Sequence, residues 1–145
     1  MGYAQEEEIN VETIFSKIDP SLMLHQIFKP SNNKLGRVNI SPEKESLQAA
    51  FINLSMNQTF KPHKHILYSR EMPMAQESWI VIRGKVKVIH YDLDDRIIKE
   101  TILLPGECTI TYRGGHNYVS LEENTLVYEL KTGPYEGIDK DKKFI

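Results

Sequence analysis

A run of β-branched and aromatic residues from Glu77 to Ile89 constrains the fold more than any other part of the chain. Gly84 interrupts this run, as a turn or bulge does, so the run predicts two strands joined at the glycine. Residues 86–91 and 97–102 flank the charged loop 92–96, which is typical of a β-hairpin. Short strands separated by turn signals therefore predict a mainly β fold.

Two further runs extend the β pattern on either side. Residues 47–54 predict a strand, although their pair of alanines also suits a helix, and residues 125–130 predict the last strand. This repetition of short strands and turns favours an antiparallel double-stranded β-helix, or jelly roll. At 145 residues and 40% hydrophobic composition, the chain suffices for one compact domain.

The N-terminal part predicts a short helical segment. Residues 6–18 indicate an amphipathic helix, because Ile14 and Ile18 are four apart and acidic residues lie near its N-terminus. Pro20 ends or kinks this helix, and the apolar stretch 22–28 follows it.

These patterns divide the chain in two. We expect residues 1–46 to form a helical or extended segment that packs on the barrel, and residues 47–145 to form the barrel with a charged tail. The apolar N-terminal stretch serves either this packing or a dimer contact. His25 lies within it and is expected to be a packed or hydrogen-bonded residue.

Candidate ligands occur in the segment Pro62-His63-Lys64-His65. Side chains two apart on an extended strand point to the same face, so both imidazoles can reach one metal ion. Pro62 favours an extended backbone at this point. A bare pair of this kind is equally consistent with surface or core packing.

Glu77 shares a strand face with Trp79 and Val81 by period-two counting. A carboxylate beside bulky apolar side chains requires a partner or a bound metal if it is buried. The alternative places Glu77 at the rim, solvated or paired with a lysine or arginine.

These residues resemble the cupin superfamily over positions 47–135. The first cupin motif contains His-x-His, three or four residues, Glu, six residues and Gly, and His63, His65, Glu77 and Gly84 match its ends. The six residues between Glu77 and Gly84 match its spacing. Eleven residues, rather than three or four, separate His65 from Glu77.

The other parts of the pattern match incompletely. Asn57 stands where the first motif has a glycine, and the segment 106–116 has the length of the second motif without its proline. His116 is the fourth ligand in this resemblance, or else a loop histidine bonded to the backbone. The chain also resembles the small cupin-fold metalloproteins associated with bacterial surface-polysaccharide clusters, in Pro-His-x-His, residues 83–84 and the ending 131–135.

The resemblance implies a metal site with one divalent transition metal, either Fe, Mn, Ni, Co or Zn. Its implied ligands are His63, His65, Glu77 and His116. Such a donor set leaves positions open for water, substrate or oxygen, which is typical of a catalytic site. With iron, the chemistry is that of an oxygenase; with a redox-inert metal, it is that of an isomerase or epimerase, and Glu77 serves as ligand, as catalytic base, or as both.

The expected substrate is a small molecule, and the subfamily resemblance makes it carbohydrate-related. Three aromatic residues are candidates for the substrate pocket, although ordinary barrel packing also explains them: Trp79, Tyr112 and Tyr118. Two alternatives stay open. The chain is a non-catalytic, metal-stabilised binding or sensory module, or the long insertion displaces Glu77 and leaves a three-histidine site.

Composition narrows the partners. With 18 basic and 20 acidic residues, the formal net charge is −2, which predicts neither nucleic acid nor an anionic membrane as a partner. No apolar run approaches the length of a membrane span, and no secretory signal precedes the domain, so we expect a cytoplasmic protein. The single cysteine, Cys108, is expected to be a small buried residue. The resemblance implies a homodimer.

Overall fold

The computed structural model describes residues 10–30 and 36–145, and nearly all regular structure in them is β. The mainly β prediction is therefore confirmed. The elements in chain order are β1 (Asn10–Phe15), β2 (Met23–Lys29), β3 (Gly36–Asn39), β4 (Ala50–Asn53), β5 (Glu77–Arg83), β6 (Val86–Tyr91), β7 (Ile97–Leu103), β8 (Cys108–Thr111), β9 (Gly115–Ser120), β10 (Leu126–Lys131) and α1 (Ile138–Asp141).

The strands form three antiparallel sheets. The five-stranded sheet has the order β1-β2-β8-β5-β10, the three-stranded sheet has the order β7-β6-β9, and β3 and β4 form a two-stranded ribbon. The predicted hairpin is confirmed, because β6 pairs with β7 from Val86↔Leu103 to Tyr91↔Ile97. The predicted turn at Gly84 is also present, with φ +86° between β5 and β6.

The five-stranded and three-stranded sheets pack face to face. Their shared core contains Ile27 and Val81 from the larger sheet and Val86, Val88 and Leu103 from the smaller. The larger sheet is covered on its other face as well, where a second cluster joins Phe28 and Ile110 to Ile40 and Phe51 of the ribbon region. The arrangement is compatible with a β-sandwich whose larger sheet is buried on both faces.

The predicted N-terminal helix is wrong over the described residues, because residues 10–15 form strand β1. This strand pairs with β2 from Asn10↔Lys29 onward, and its β-branched residues Val11, Thr13 and Ile14 suit a pleated surface. Ile14 is buried in the sandwich core but Ile18 is exposed, so the spacing of four that indicated a helix does not mark one buried face. Residues 6–9 of the predicted helix lie outside the described residues.

Strand β2 explains why the stretch 22–28 is almost continuously apolar. All residues from Leu24 to Phe28 are buried, since β2 lies between β1 and β8 in a sheet covered on both faces. The N-terminal strands are thus integral members of the larger sheet.

One long excursion leaves the sandwich between β4 and β5. Every residue from 54 to 75, called the arm below, is exposed and lies in no helix or strand. The arm carries eight exposed large hydrophobic side chains: Leu54, Met56, Phe60, Ile66, Leu67, Tyr68, Met72 and Met74.

Helices contribute almost nothing to the fold. α1 spans only Ile138–Asp141. Over residues 10–30 and 36–145, no helix has the length and apolar character that crossing a membrane requires.

Candidate functional site

A layer of polar side chains lies at one end of the interface between the two large sheets, where the rest of the interface is apolar. Each strand places its residue there by simple alternation, since the neighbouring inward positions on β5, β6 and β9 are Trp79, Val88 and Tyr118. The polar layer consists of His25 (β2), Glu77 (β5), His90 (β6), Thr109 and Thr111 (β8), and His116 (β9).

The register of β2 and β8 sets the centre of this layer. His25 lies opposite Thr111 in the sheet, and its Nδ1 is 3.0 Å from the Thr111 hydroxyl. The other ring nitrogen of His25, Nε2, is 3.0 Å from the backbone carbonyl of Tyr91 on the facing sheet. A carbonyl only accepts, so Nε2 of His25 carries a proton.

The proton on Nε2 of His25 determines where the protons of Thr111 and His116 lie. Burial lowers the pKa of His25 to about 4, so the ring is neutral at pH 7 and its Nδ1 accepts a hydrogen bond from Thr111. The hydroxyl of Thr111 then has no second proton to give, and it accepts from Nδ1 of His116 at 2.9 Å. Burial lowers the pKa of His116 to about 4 as well, so Nε2 of His116 presents an unprotonated lone pair.

That lone pair faces a carboxyl group. Nε2 of His116 is 3.4 Å from Oε1 of Glu77, and both side chains are mostly buried, with 23% and 14% of their areas exposed. Burial raises the pKa of Glu77, and the nearby negative charge of Glu129 raises it further. Two acceptors that face each other require a proton or a cation between them. The pair therefore has the electronic character of a proton site or a metal site.

The backbone at Gly114 permits this arrangement. Gly114 has φ +78°, and a Cβ there would lie 2.6 Å from the carbonyl oxygen of Tyr91 and 3.3 Å from Nε2 of His25. The residue thus leaves room for the hydrogen bond that determines the tautomer of His25, and it lies immediately before the strand that carries His116.

His90 forms the innermost part of the layer. Its ring stacks on His25 with the centroids 4.2 Å apart, and its Nε2 donates to the hydroxyl of Thr109 at 2.8 Å. Thr109 in turn donates to the carbonyl of Gln26. Burial lowers the pKa of His90 to about 2, and its Nδ1 has no hydrogen-bond partner among the described residues. His90 is thus a neutral, structural member of the layer.

Two of the three predicted pocket aromatics lie beside the pair formed by Glu77 and His116. Trp79 and Tyr118 stack with their ring centroids 3.7 Å apart and 4° between their planes, and Tyr118 also contacts the ring of His116. Burial raises the pKa of Tyr118, so its phenol stays protonated.

The third predicted aromatic lies elsewhere. Tyr112 is fully buried in the core on the other face of the larger sheet, where its hydroxyl donates to Oε1 of Gln26 at 2.7 Å. The reason is alternation along β8, which sends Thr109 and Thr111 to one face and Ile110 and Tyr112 to the other.

The histidine pair of the sequence motif lies in the arm, apart from the polar layer. His63 and His65 are exposed, and their rings meet edge to face with the centroids 5.5 Å apart. Nδ1 of His63 donates to the carbonyl of Lys61 at 3.0 Å, which leaves its Nε2 free. Of the four predicted ligands, the structure brings Glu77 and His116 together and holds His63 and His65 away from them.

The end of the arm is fixed next to the site. Gln76 is buried, donates from Nε2 to Glu45 at 2.9 Å, and accepts from the backbone of Leu47 at 2.7 Å. Glu45 is itself buried and forms a two-pronged ion pair with Arg113, at 3.1 and 3.2 Å. Arg113, which stands three residues before His116, is thus a structural residue.

A cleft of about 320 Å³ opens beside this anchor. It lies between residues 72–75 of the arm and the C-terminal segment, including Lys140 and Asp141. Asp141 binds Lys131 at 3.1 Å, and Lys131 is the partner of Glu77 in the pairing of β10 with β5. The cleft is therefore connected to the strand position of Glu77 through Asp141 and Lys131.

Among the described residues, no three His, Cys, Asp or Glu side chains converge closely enough to hold a metal ion. Sequence reasoning missed His25, His90, Thr109 and Thr111 as members of the layer. The signal that was available is the pair of threonines two apart in a short buried strand, which indicates hydroxyl groups on one inward face.

Comparison with known proteins gives no relative from which to read the function. The chain matches no family model, no curated protein and no solved structure.

Proposed function

We propose that the chain is a metal-binding protein of the cupin type, with a jelly-roll barrel, that acts as a metalloenzyme on a small, carbohydrate-related molecule. The observation that carries the proposal is the pair formed by Glu77 and His116. Its two facing acceptor atoms, 3.4 Å apart in a mostly buried setting, form half of the donor set that the sequence motif implies.

The hydrogen bonds behind His116 support a metal role. Histidine ligands of metals commonly donate their second ring N–H to an oxygen, which fixes the tautomer and the ring orientation. Nδ1 of His116 donates to Thr111, and Thr111 is held by His25. Neutral imidazole nitrogen and carboxylate oxygen suit Mn, Fe, Co, Ni and Zn alike.

The complete donor set requires the arm to approach the polar layer. His63 and His65 would add two nitrogens to those of Glu77 and His116, giving three nitrogens and one oxygen. A divalent ion bound there would supply Lewis-acid polarisation of a carbonyl or, as iron, a site for oxygen chemistry.

The residues around this position have distinct expected roles. Glu77 has a raised pKa and takes or returns a proton at its carboxyl oxygen, as a catalytic base for an isomerase or epimerase requires. The stacked rings of Trp79 and Tyr118 lie beside the pair and would form an apolar boundary for a small substrate bound there.

The first experiment measures bound metal. Untagged protein is purified anaerobically, reconstituted separately with Fe, Mn, Ni, Co and Zn, and assayed by elemental mass spectrometry. We expect close to one ion per chain, lost in Glu77→Gln and His116→Ala. Glu129→Gln is the matched control, since it removes a neighbouring carboxylate that is 45% exposed and should retain the metal. Protein that takes up none of the five ions contradicts the proposal.

The second experiment separates an enzyme from a binding module. The metal-loaded protein is incubated with a panel of sugars and keto-sugars, and oxygen consumption and NMR spectra of the products are followed. Turnover that Glu77→Gln abolishes supports the metalloenzyme. A sugar that binds tightly and is recovered unchanged supports instead the non-catalytic ligand-binding or sensory alternative.

A further inference from the structure

Strand β10 is an outermost strand of the larger sheet, and one of its edges is open. Among the described residues it pairs only with β5. Thr132, directly after the strand, donates its backbone N–H to the carbonyl of Gln76 at 3.0 Å. Because bonding alternates along an antiparallel pair, Leu130 also turns its backbone groups towards β5, whereas Glu129 and Lys131 turn theirs to the open edge.

The side chains of β10 differ between its two sides. Val127 belongs to the sandwich core, so Glu129 and Lys131 point to the same inner side by alternation. The outer side carries large apolar side chains that are 41–62% exposed: Leu126, Tyr128 and Leu130. An apolar strip along an open strand edge is a template for pairing with another strand.

The C-terminal segment leaves this edge accessible. α1 lies against the inner side of β10, because Asp141 binds the inward side chain of Lys131 at 3.1 Å. Ile145 lies over Gly115 of the facing sheet. Residues 128–130 are all exposed, so the segment does not cover this stretch of the strand.

The charges along the edge select its occupant. A lysine on an edge strand opposes pairing with an unrelated apolar strand. Glu129 and Lys131 are two residues apart on the same side and carry opposite charges, so β10 is complementary to its own sequence in the antiparallel direction. A two-fold contact places the glutamate of each copy opposite the lysine of the other.

We propose that the open edge of β10 pairs antiparallel with β10 of a second copy of this chain, with Leu130 at the two-fold axis. The two five-stranded sheets then form one continuous sheet across the dimer. Glu129 of each copy lies opposite Lys131 of the other, and both residues turn backbone N–H and C=O groups to the contact. The contact is independent of the proposed function, because it uses no metal ligand.

The neighbouring registers are unfavourable for two different reasons. An axis at Glu129 would place like charges directly opposite each other. An axis at Tyr128 would extend the pairing to Thr125, beyond the bulge that interrupts the strand near its start. With the axis at Leu130, the outer apolar side chains of both copies form one continuous strip.

The variant Leu130→Cys tests this register with a single substitution. Opposed residues that exchange no backbone hydrogen bonds have Cα atoms about 4.5 Å apart, which suits a disulfide. The folded variant is oxidised, its remaining thiols are blocked, and it should run at twice the 16.8 kDa chain mass on a non-reducing gel. Wild type gives the background, since its one thiol, Cys108, is buried.

Tyr128→Cys is the matched control, because Tyr128 lies on the same side of the same strand and is 62% exposed. In the proposed register, the two copies of residue 128 are offset by four residues, or about 13 Å along the strand, which is too far for a disulfide. Cross-linking of Leu130→Cys that is no faster than that of Tyr128→Cys overturns the proposal.

Charge reversal tests the same contact without a cross-link. Metal-free wild type should have twice the chain mass by light scattering across the micromolar range. Glu129→Lys places lysines opposite each other and should raise the dissociation constant of the dimer at least about tenfold. Glu122→Lys reverses a carboxylate of similar exposure, 51% against 45%, and should change the constant by less than about twofold.

Two results in solution overturn the proposal: a monomeric wild type, or a dimer that Glu129→Lys leaves intact. Should Glu129→Lys fail to fold by circular dichroism, the comparison of Leu130→Cys with Tyr128→Cys decides alone.

Discussion

The polar layer and the arm both carry histidines, but only the layer holds them in a defined state. His25 and His116 are fixed by hydrogen bonds of 3.0 and 2.9 Å to one threonine, which lies at the meeting point of two paired strands. His63 and His65 lie on a segment that pairs with no strand in residues 10–30 and 36–145. Backbone pairing, rather than the presence of the residues, therefore determines the tautomer and direction of an imidazole.

The two regions also differ in how much their side chains contribute to the free energy of unfolding. The layer is closed by the sandwich core, so each unpaired polar atom there would cost free energy on the scale of a lost hydrogen bond. The arm is exposed over its whole length, so its side chains contribute little to the stability of one chain. We expect substitutions in the layer to act on folding and substitutions of the arm histidines to act on metal binding.

The largest expected effect is the pH dependence of folding. Burial lowers the pKa of His25 from 6.5 to about 4, so between these values the unfolded chain binds a proton that the folded chain does not. The free energy of unfolding should fall as the pH drops through this window, by about 3 kcal/mol from this group alone. Glu77, whose pKa is raised, acts in the opposite direction and offsets part of the loss.

Urea denaturation at intervals from pH 8 to pH 4 measures this slope. The His25→Gln protein should show a flatter curve than the wild type, with His63→Gln as the matched loss of one exposed histidine. Stability that stays constant or rises on acidification below pH 6.5 would contradict a neutral, buried His25.

The second effect concerns the turn that leads into β9. Gly114→Ala should lower the free energy of unfolding by about 3 kcal/mol, because it adds a Cβ at a positive φ and against the carbonyl of Tyr91. Gly106→Ala is the control, since Gly106 has φ +86° with open space around it, and should cost about 1 kcal/mol. Equal losses would show that the close contact at Gly114 is not part of the folded state.

The third effect isolates the hydroxyl that joins the two histidines. Thr111→Val keeps the shape but leaves Nδ1 of His25 without a partner and leaves Nδ1 of His116 only the longer contact to the Tyr118 hydroxyl, at 3.5 Å; it should cost about 2 kcal/mol in unfolding free energy. It should also weaken metal binding roughly 10- to 100-fold. The same change in the arm, Thr59→Val, should alter neither quantity; a similar loss in both proteins would remove the distinction between the two regions.

The smallest expected effect on folding is that of the arm histidines. His63→Ala and His65→Ala should each change the free energy of unfolding by no more than about 0.5 kcal/mol, because both side chains are exposed. Both should nevertheless reduce metal content in the reconstituted protein. Destabilisation by 2 kcal/mol or more would indicate that the arm packs on its own chain.

The sequence predicts an element correctly where its local pattern of apolar and polar residues matches the faces that the element buries and exposes in the sheet. The hairpin of β6 and β7 shows alternation and a charged turn, and both follow from one solvated face and one buried face. β1 was mistaken for a helix, because a spacing of four between Ile14 and Ile18 also arises when only one of the two is buried. The sequence of β2 shows no alternation of apolar and polar residues, because this strand is buried on both faces.

The sequence likewise predicts only some of the residues of the candidate site. Sequence reasoning grouped Glu77 with His116, and the structure places these two side chains 3.4 Å apart. It did not reach His25 and Thr111, whose contact depends on the register between strands more than 80 residues apart along the chain. No local pattern contains that register, and none predicts the position of the arm, which pairs with no strand in the part of the chain that the structure describes.

The most direct test of the account is the protonation state of His116. Long-range ¹H–¹⁵N NMR of the histidine rings reports the tautomer of each residue, with His116→Gln and His25→Gln for assignment. We predict that His116 carries its proton on Nδ1 and that added Zn²⁺ shifts its Nε2 resonance while the Nδ1 proton stays in place. A proton on Nε2 of His116, unchanged by Zn²⁺, would contradict both the hydrogen-bond chain and the metal site built on it.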